Sequence, residues 1–136
     1  VLVSGGNHSD HRGTLSFVNE FNFLNVKRFY TITHHDLSVI RAWQGHQHEV
    51  KHFFVTTGTF LIGWVKLDDW QNPSTGLNVE RQILRASEPA VLTINGGNAN
   101  GFKALEKGST LMVFSSMDLE ASSSDTYRFA EHTWKL

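Results

Sequence analysis

Apolar residues in this chain come in short runs broken by turn residues, and within the runs they tend to alternate with polar ones. Residues 14–18, 26–33, 39–43, 51–57 and 59–67 are rich in β-branched and aromatic side chains, the composition that fits a pleated, half-buried surface. In 79–84, Val79, Arg81 and Ile83 fall on one face of an extended segment and Glu80, Gln82 and Leu84 on the other. Residues 90–94, 101–105 and 110–115 complete the set of expected strands. Turn residues separate them: Gly58, Asn72-Pro73-Ser74, Glu88-Pro89, Asn95-Gly96-Gly97-Asn98 and Lys107-Gly108. Ala121 to Ser124 is read as a loop.

No window of a dozen residues repeats its apolar positions every 3.6 residues. Many short strands at regular spacing predict an all-β sandwich or barrel, of antiparallel barrel or jelly-roll form. The antibody-type sandwich is excluded, because its Cys–Trp–Cys arrangement needs cysteines that the chain lacks. At 136 residues, one domain spanning 1–136 is expected.

Composition narrows the chemistry. The net charge is −1 and no Lys/Arg cluster exists, so no nucleic-acid partner is expected. Without cysteine there is neither a disulfide framework nor a thiolate zinc site. The apolar run 59–65 is far too short to span a bilayer, so no membrane partner is expected. No charged-then-apolar signal segment opens the chain, and the cytoplasm is the expected compartment.

The strongest chemical signal is a histidine-rich stretch from Arg41 to His52. His46, His48 and His52 stand two and four residues apart, so a regular strand would put all three imidazoles on one face. Three readings of that face stay open. The imidazoles can face water, hold a divalent transition metal, or work without metal as acid and base near neutral pH.

His46-Gln47-His48, followed by a strand and a glycine turn, resembles the first motif of the cupins. The motif's usual glutamate is replaced by Lys51 or His52, and Glu49 comes too early for it. In the second cupin motif the expected histidine is Asn100. Two of four usual ligands are therefore altered, which favours a cofactor-free site over a metal cage. The sequence is more similar to a metal-free branch: the dTDP-4-dehydrorhamnose 3,5-epimerases and the dTDP-sugar 3,4-ketoisomerases. Asp10-His11-Arg12-Gly13 resembles their Asp-x-Arg-Gly opening. Val26-Lys27-Arg28-Phe29-Tyr30 resembles the ketoisomerases' Ile-Lys-Arg-x-Tyr strand. Arg41 to His46 resembles their Arg-Gly-x-His segment, with insertions, and Lys51 precedes Gly58 at the epimerase lysine's spacing. Thr93 to Phe102 resembles their Ile-Pro-x-Gly-x-Ala-His-Gly-Phe turn.

The resemblance implies a cupin double-stranded β-helix (a jelly-roll barrel), a homodimer, and action on a dTDP-4-keto-6-deoxy sugar. It implies His46 as the base, paired with His48 as in the ketoisomerases, and Lys51 as the stabiliser of the enolate. Arg12, Arg41 or Arg28 would hold the diphosphate, whose oxygens suit a guanidinium fork. Trp43, Trp64 and Trp70 would offer stacking faces for sugar or base, and Asn100 would line the site. Phe53, Phe54, Phe60 and Phe102 are expected in the core. The epimerases' opposing tyrosine is missing: Met117-Asp118-Leu119-Glu120 occupies its place, and neither Tyr30 nor Tyr127 matches it. That departure favours ketoisomerisation over double epimerisation. The alternatives are a metal-dependent cupin using His46, His48 and His52, and a sugar-binding cupin without catalysis.

Overall fold

The computed structural model describes residues Val1 to Leu136. Twelve strands run in chain order: β1 (Leu2–Ser4), β2 (Gly6–Asp10), β3 (Gly13–Phe17), β4 (Arg28–His34), β5 (Ile40–His46), β6 (Lys51–Thr57), β7 (Thr59–Lys66), β8 (Glu80–Arg85), β9 (Ala90–Ile94), β10 (Asn98–Ala104), β11 (Ser109–Ser115) and β12 (Tyr127–Arg128). One short helix, α1 (Leu119–Ser124), and a 3-10 turn at Glu131–Thr133 complete the chain. Two five-stranded antiparallel sheets form, β1-β9-β6-β11-β4 and β12-β5-β10-β7-β8, while β2 and β3 make a separate exposed hairpin.

The expected strands are present, and several extend further than the apolar pattern suggested. β5 continues to His46, and β10 begins at Asn98. Residues 121–124, expected to be loop, lie in α1, which Asp118 caps by accepting the Ala121 N–H. A serine-rich segment has little intrinsic helix preference, and the cap supplies the missing start signal.

Alternation explains the core. On β6, Lys51, Phe53 and Val55 are buried while His52 and Phe54 are half-exposed. On β11, Ser109, Leu111, Val113 and Ser115 are buried with half-exposed residues between them. The inward sets meet in one cluster that includes Phe53, Phe60, Ile62, Leu92, Leu111 and Val113. Phe54, expected in this core, faces outward because it is one residue out of phase with Phe53. Gly58, at the β6–β7 turn, has φ +75°, and a Cβ there would lie 2.1 Å from the Ser109 hydroxyl. Only glycine meets both demands.

One irregularity matters for function. Asn100 pairs with Gln44, but Phe102 pairs with Arg41. β5 thus advances three residues while β10 advances two, so β5 carries a bulge at Ala42–Trp43. Residues paired across strands share a face, and the bulge therefore turns Arg41 to the same side as Gln44.

Candidate active site

A cavity of about 460 Å³ opens on the side where β4, the edge of one sheet, stands beside β5 and β12 of the other. Its polar wall comes from Tyr30, Gln44, Lys51 and Asn100. Arg41 and Arg128, both exposed, line its solvent side. Three cations and no carboxylate line the space, so its field favours an anionic occupant.

Lys51 is the inner cation. It opens β6 on the inward phase and is 5% exposed. Its Nζ donates to the Tyr30 hydroxyl and to Gln44 Oε1, each at 3.1 Å. An ammonium has three N–H donors, so one is left for a ligand. Lys51 takes part in none of the ion pairs of the structure. A buried cation without a counter-charge is costly, and such groups mark sites where a ligand supplies the missing anion.

His46 follows Gln44 by two on β5 and is 2% exposed. Its Nδ1 lies 2.9 Å from the carbonyl of Asp125. A carbonyl only accepts, so Nδ1 carries the proton in the neutral ring, an assignment made from the hydrogen bond. Nε2 is buried with no partner and holds the free lone pair. Burial holds the imidazole below its ordinary pKa, with the Lys51 ammonium adding to the effect; Glu49 and Asp125 oppose it.

A polar cradle stands behind His46. The Asp125 carboxylate accepts the backbone N–H groups of Gln47, His48 and Glu49 at 2.8–2.9 Å. Desolvation works to raise the Asp125 carboxyl, but these donors outweigh it and hold its pKa below the ordinary value. Gly96 permits this loop geometry, because a Cβ there would lie 2.6 Å from the carbonyl oxygen of Gln47.

This cradle takes residues 47–50 out of the strand, and the expected common face of the three histidines is lost. His46 is buried, His48 is exposed in the loop, and His52 lies on the opposite phase of β6 from Lys51. The His52 Nδ1 pairs with Thr93 Oγ1 at 2.7 Å and its ring packs on Phe21. No three His, Asp or Glu side chains converge as a metal cage. The His46/His48/His52 cage is thus corrected: one tight loop separates its members. Neither His48 nor His46 is itself among the residues that line the cavity; His46 lies buried two residues beyond Gln44, which does line it.

The other expected residues divide. Arg41 and Asn100 line the cavity. Arg28 does not; its guanidinium donates to the carbonyl of Met117 and the hydroxyl of Ser122, and stacks over the Tyr30 ring at 5.0 Å. Arg12 lies on the exposed hairpin, paired with Asp10 at 2.7 Å. Trp43 borders the cavity, but its indole is 2% exposed and donates to the carbonyls of Glu131 and Trp134, so it offers no stacking face. Trp70 packs on Tyr127.

Sequence reasoning passed over Tyr30, Gln44, Glu49, Asp125 and Arg128. Tyr30, named above only within its strand motif and not at the position of the epimerases' tyrosine, enters the site from β4. Its signal was the alternation Arg28, Tyr30, Ile32, His34. Glu49 and Asp125 had none, since 76 residues separate them.

Comparison by fold places the chain among known structures. It superposes on the RmlC epimerase of Mycobacterium tuberculosis with a TM-score of 0.77 and 17% identity, covering 96% of this chain and 68% of that one. ChmJ, a 3'-monoepimerase from Streptomyces bikiniensis in complex with dTDP-quinovose, gives 0.77 at 16%, with 96% and 69% covered. A histidine-to-asparagine variant of the 3,4-ketoisomerase QdtA from Thermoanaerobacterium thermosaccharolyticum, in complex with TDP-4-keto-6-deoxyglucose, gives 0.73 at 18%, with 98% and 89% covered. The chain has the fold of these sugar-nucleotide enzymes. The all-β jelly-roll expectation therefore holds. No protein-family profile matches the sequence, and no curated protein matches it. No helix is long and apolar enough to cross a membrane.

Proposed function

We propose that the protein isomerises or epimerises a nucleoside-diphosphate 4-keto-6-deoxy sugar by proton abstraction beside the ketone, with no cofactor. One observation carries the reading: an acid-free cavity whose inner wall pairs a buried, uncompensated Lys51 with Tyr30, with the buried His46, its Nε2 bare, two residues beyond the wall residue Gln44 on β5. Arg41 and Arg128 at the solvent side suit the diphosphate.

The ketone at C4 acidifies the C3–H. His46 Nε2 takes that proton, and the C3–C4 enolate places its charge on oxygen. The spare Lys51 N–H stabilises that charge, with the Tyr30 hydroxyl as the adjoining acid. Return of a proton to the other face of C3 gives an epimer. Transfer of the O3 proton to O4 with protonation at C4 gives the 3-keto isomer. The missing tyrosine near 117–120 favours the second outcome.

The same reading includes a homodimer in the cytoplasm. Phe23, Leu24 and Phe29 are 56%, 83% and 66% exposed beside one sheet, an apolar surface that a second copy would cover. The test is incubation with dTDP-4-keto-6-deoxyglucose in deuterium oxide, followed by NMR. Deuterium at C3 or C4, lost in His46→Asn, is expected. Binding without exchange would leave a sugar-binding module and end the catalytic reading.

A further inference from the structure

Glu49 is the most deeply committed carboxylate in the molecule, at 1% exposure. Ser115 donates to Oε2 at 2.8 Å, and Ser122 donates to Oε1 at 2.6 Å and Oε2 at 3.1 Å. Arg28 Nη2 lies 3.7 Å from Oε2, and His46 Nδ1 lies 3.4 Å from Oε1. One carboxylate therefore stands between a permanent cation and a titratable ring. Arg28 in turn stacks on Tyr30, whose hydroxyl accepts from Lys51. Glu49 thus touches both the base side and, through Arg28, the acid side of the proposed reaction.

We infer that Glu49 is a positioning residue, resting on the proposed function above: with the Nδ1–H held by the Asp125 carbonyl, Glu49 offsets the imidazolium that forms when Nε2 of His46 takes a proton. The physical need is plain. The charged groups that act on His46 are Lys51 from β6, Glu49 from the loop, Asp125 from the end of α1, and Arg28 beyond Glu49. A protonated His46 would sit in a buried site with the Lys51 ammonium, and two such cations repel strongly where water is scarce. The Asp125 carboxylate is occupied by three backbone N–H groups. Glu49 is the anion that directly approaches the ring. Asp125 sets the geometry through its carbonyl, and Glu49 sets the charge.

The competing reading is that Glu49 only ties Arg28 and two serines together. NMR of 15N-labelled histidine separates the two, with His46→Asn assigning the signals. In the wild-type protein at neutral pH, His46 should show the Nδ1–H tautomer; an Nε2–H tautomer would overturn the inference without any variant. In Glu49→Gln, which keeps the shape, the His46 titration midpoint should fall by about one to three pH units. Glu49→Asp should restore most of it. The acidic limb of the kcat/KM profile should move by the same amount, with KM little changed. An unchanged midpoint in a folded Glu49→Gln protein would overturn the inference. These titrations read His46 directly, so they stand even if no turnover of the sugar is found. That result would defeat the proposed function and leave the Glu49–His46 coupling tested on its own.

Discussion

Two buried histidines sit at opposite ends of the inward faces of the barrel, and they are held in contrasting ways. His46, 2% exposed, has one nitrogen fixed by the Asp125 carbonyl, two carboxylates nearby and one nitrogen bare, with the Lys51 charge acting on the ring. His34, 3% exposed at the end of β4, has neither nitrogen partnered and packs on Phe60 and Phe102. Burial lowers the pKa of both, helped by Lys51 for His46 and by Arg41 for His34. Depth alone therefore does not mark a working histidine. Oriented partners on one nitrogen, with the other left free, do so. His34 is treated by its surroundings as an aromatic ring, and His46 as a polar group with a defined proton.

The sharpest way to break this contrast is to remove chemistry at one end and packing at the other. His46→Asn or Lys51→Met should cut deuterium incorporation by about 10²–10⁴-fold while leaving urea denaturation midpoints near wild type. Phe60→Ala, in the core against the His34 ring, should do the reverse: a loss of about 3–5 kcal/mol in unfolding free energy. Comparable losses of turnover and stability in both sets would erase the distinction.

Arg41→Ala should raise KM by roughly 10–100-fold, the cost of one charge-assisted hydrogen bond, with kcat little moved. A change confined to kcat would place Arg41 in the chemistry instead of in binding.

The pH response sharpens the comparison further. Both rings have folded-state pKa values below the ordinary 6.5. The unfolded chain then binds more protons between the two values, so stability is complete above about pH 6.5 and falls as pH drops toward the folded values. Melting temperatures at pH 7.5 and 5.5 should differ, and His34→Leu should narrow that gap. It should also cost little at pH 7.5, because an unpartnered buried polar group is replaced by an apolar one. The smallest effect is expected from Asp118→Ala, about 1 kcal/mol from the lost cap of α1, read by urea denaturation.

Much of the barrel was legible in advance, since alternation and turn residues act over a few positions. Strands at 51–57 and 110–115 appear where their β-branched and aromatic content indicated. Lys51, Arg41 and Asn100 were named from motif order, and all line the cavity. The histidine face failed for a specific reason: the regular strand it assumed ends at His46, because Asp125 draws the next three N–H groups into a loop. Arg28 failed because a buried glutamate and a serine claim its guanidinium.

What the sequence determined by itself is local: an all-β chain, its strand phases, and a histidine- and lysine-bearing stretch as the place to look. What the tertiary structure decided depends on pairing between distant segments. The bulge at Ala42–Trp43 becomes visible only against β10, and it sets which way Arg41 points. Tyr30 meets Lys51 because β4 and β6 flank β11 on opposite sides. Glu49 and Asp125 become the partners of His46 only when α1 folds back over the loop. A two-residue period carries no information about which strands will meet, and the site is made where they do.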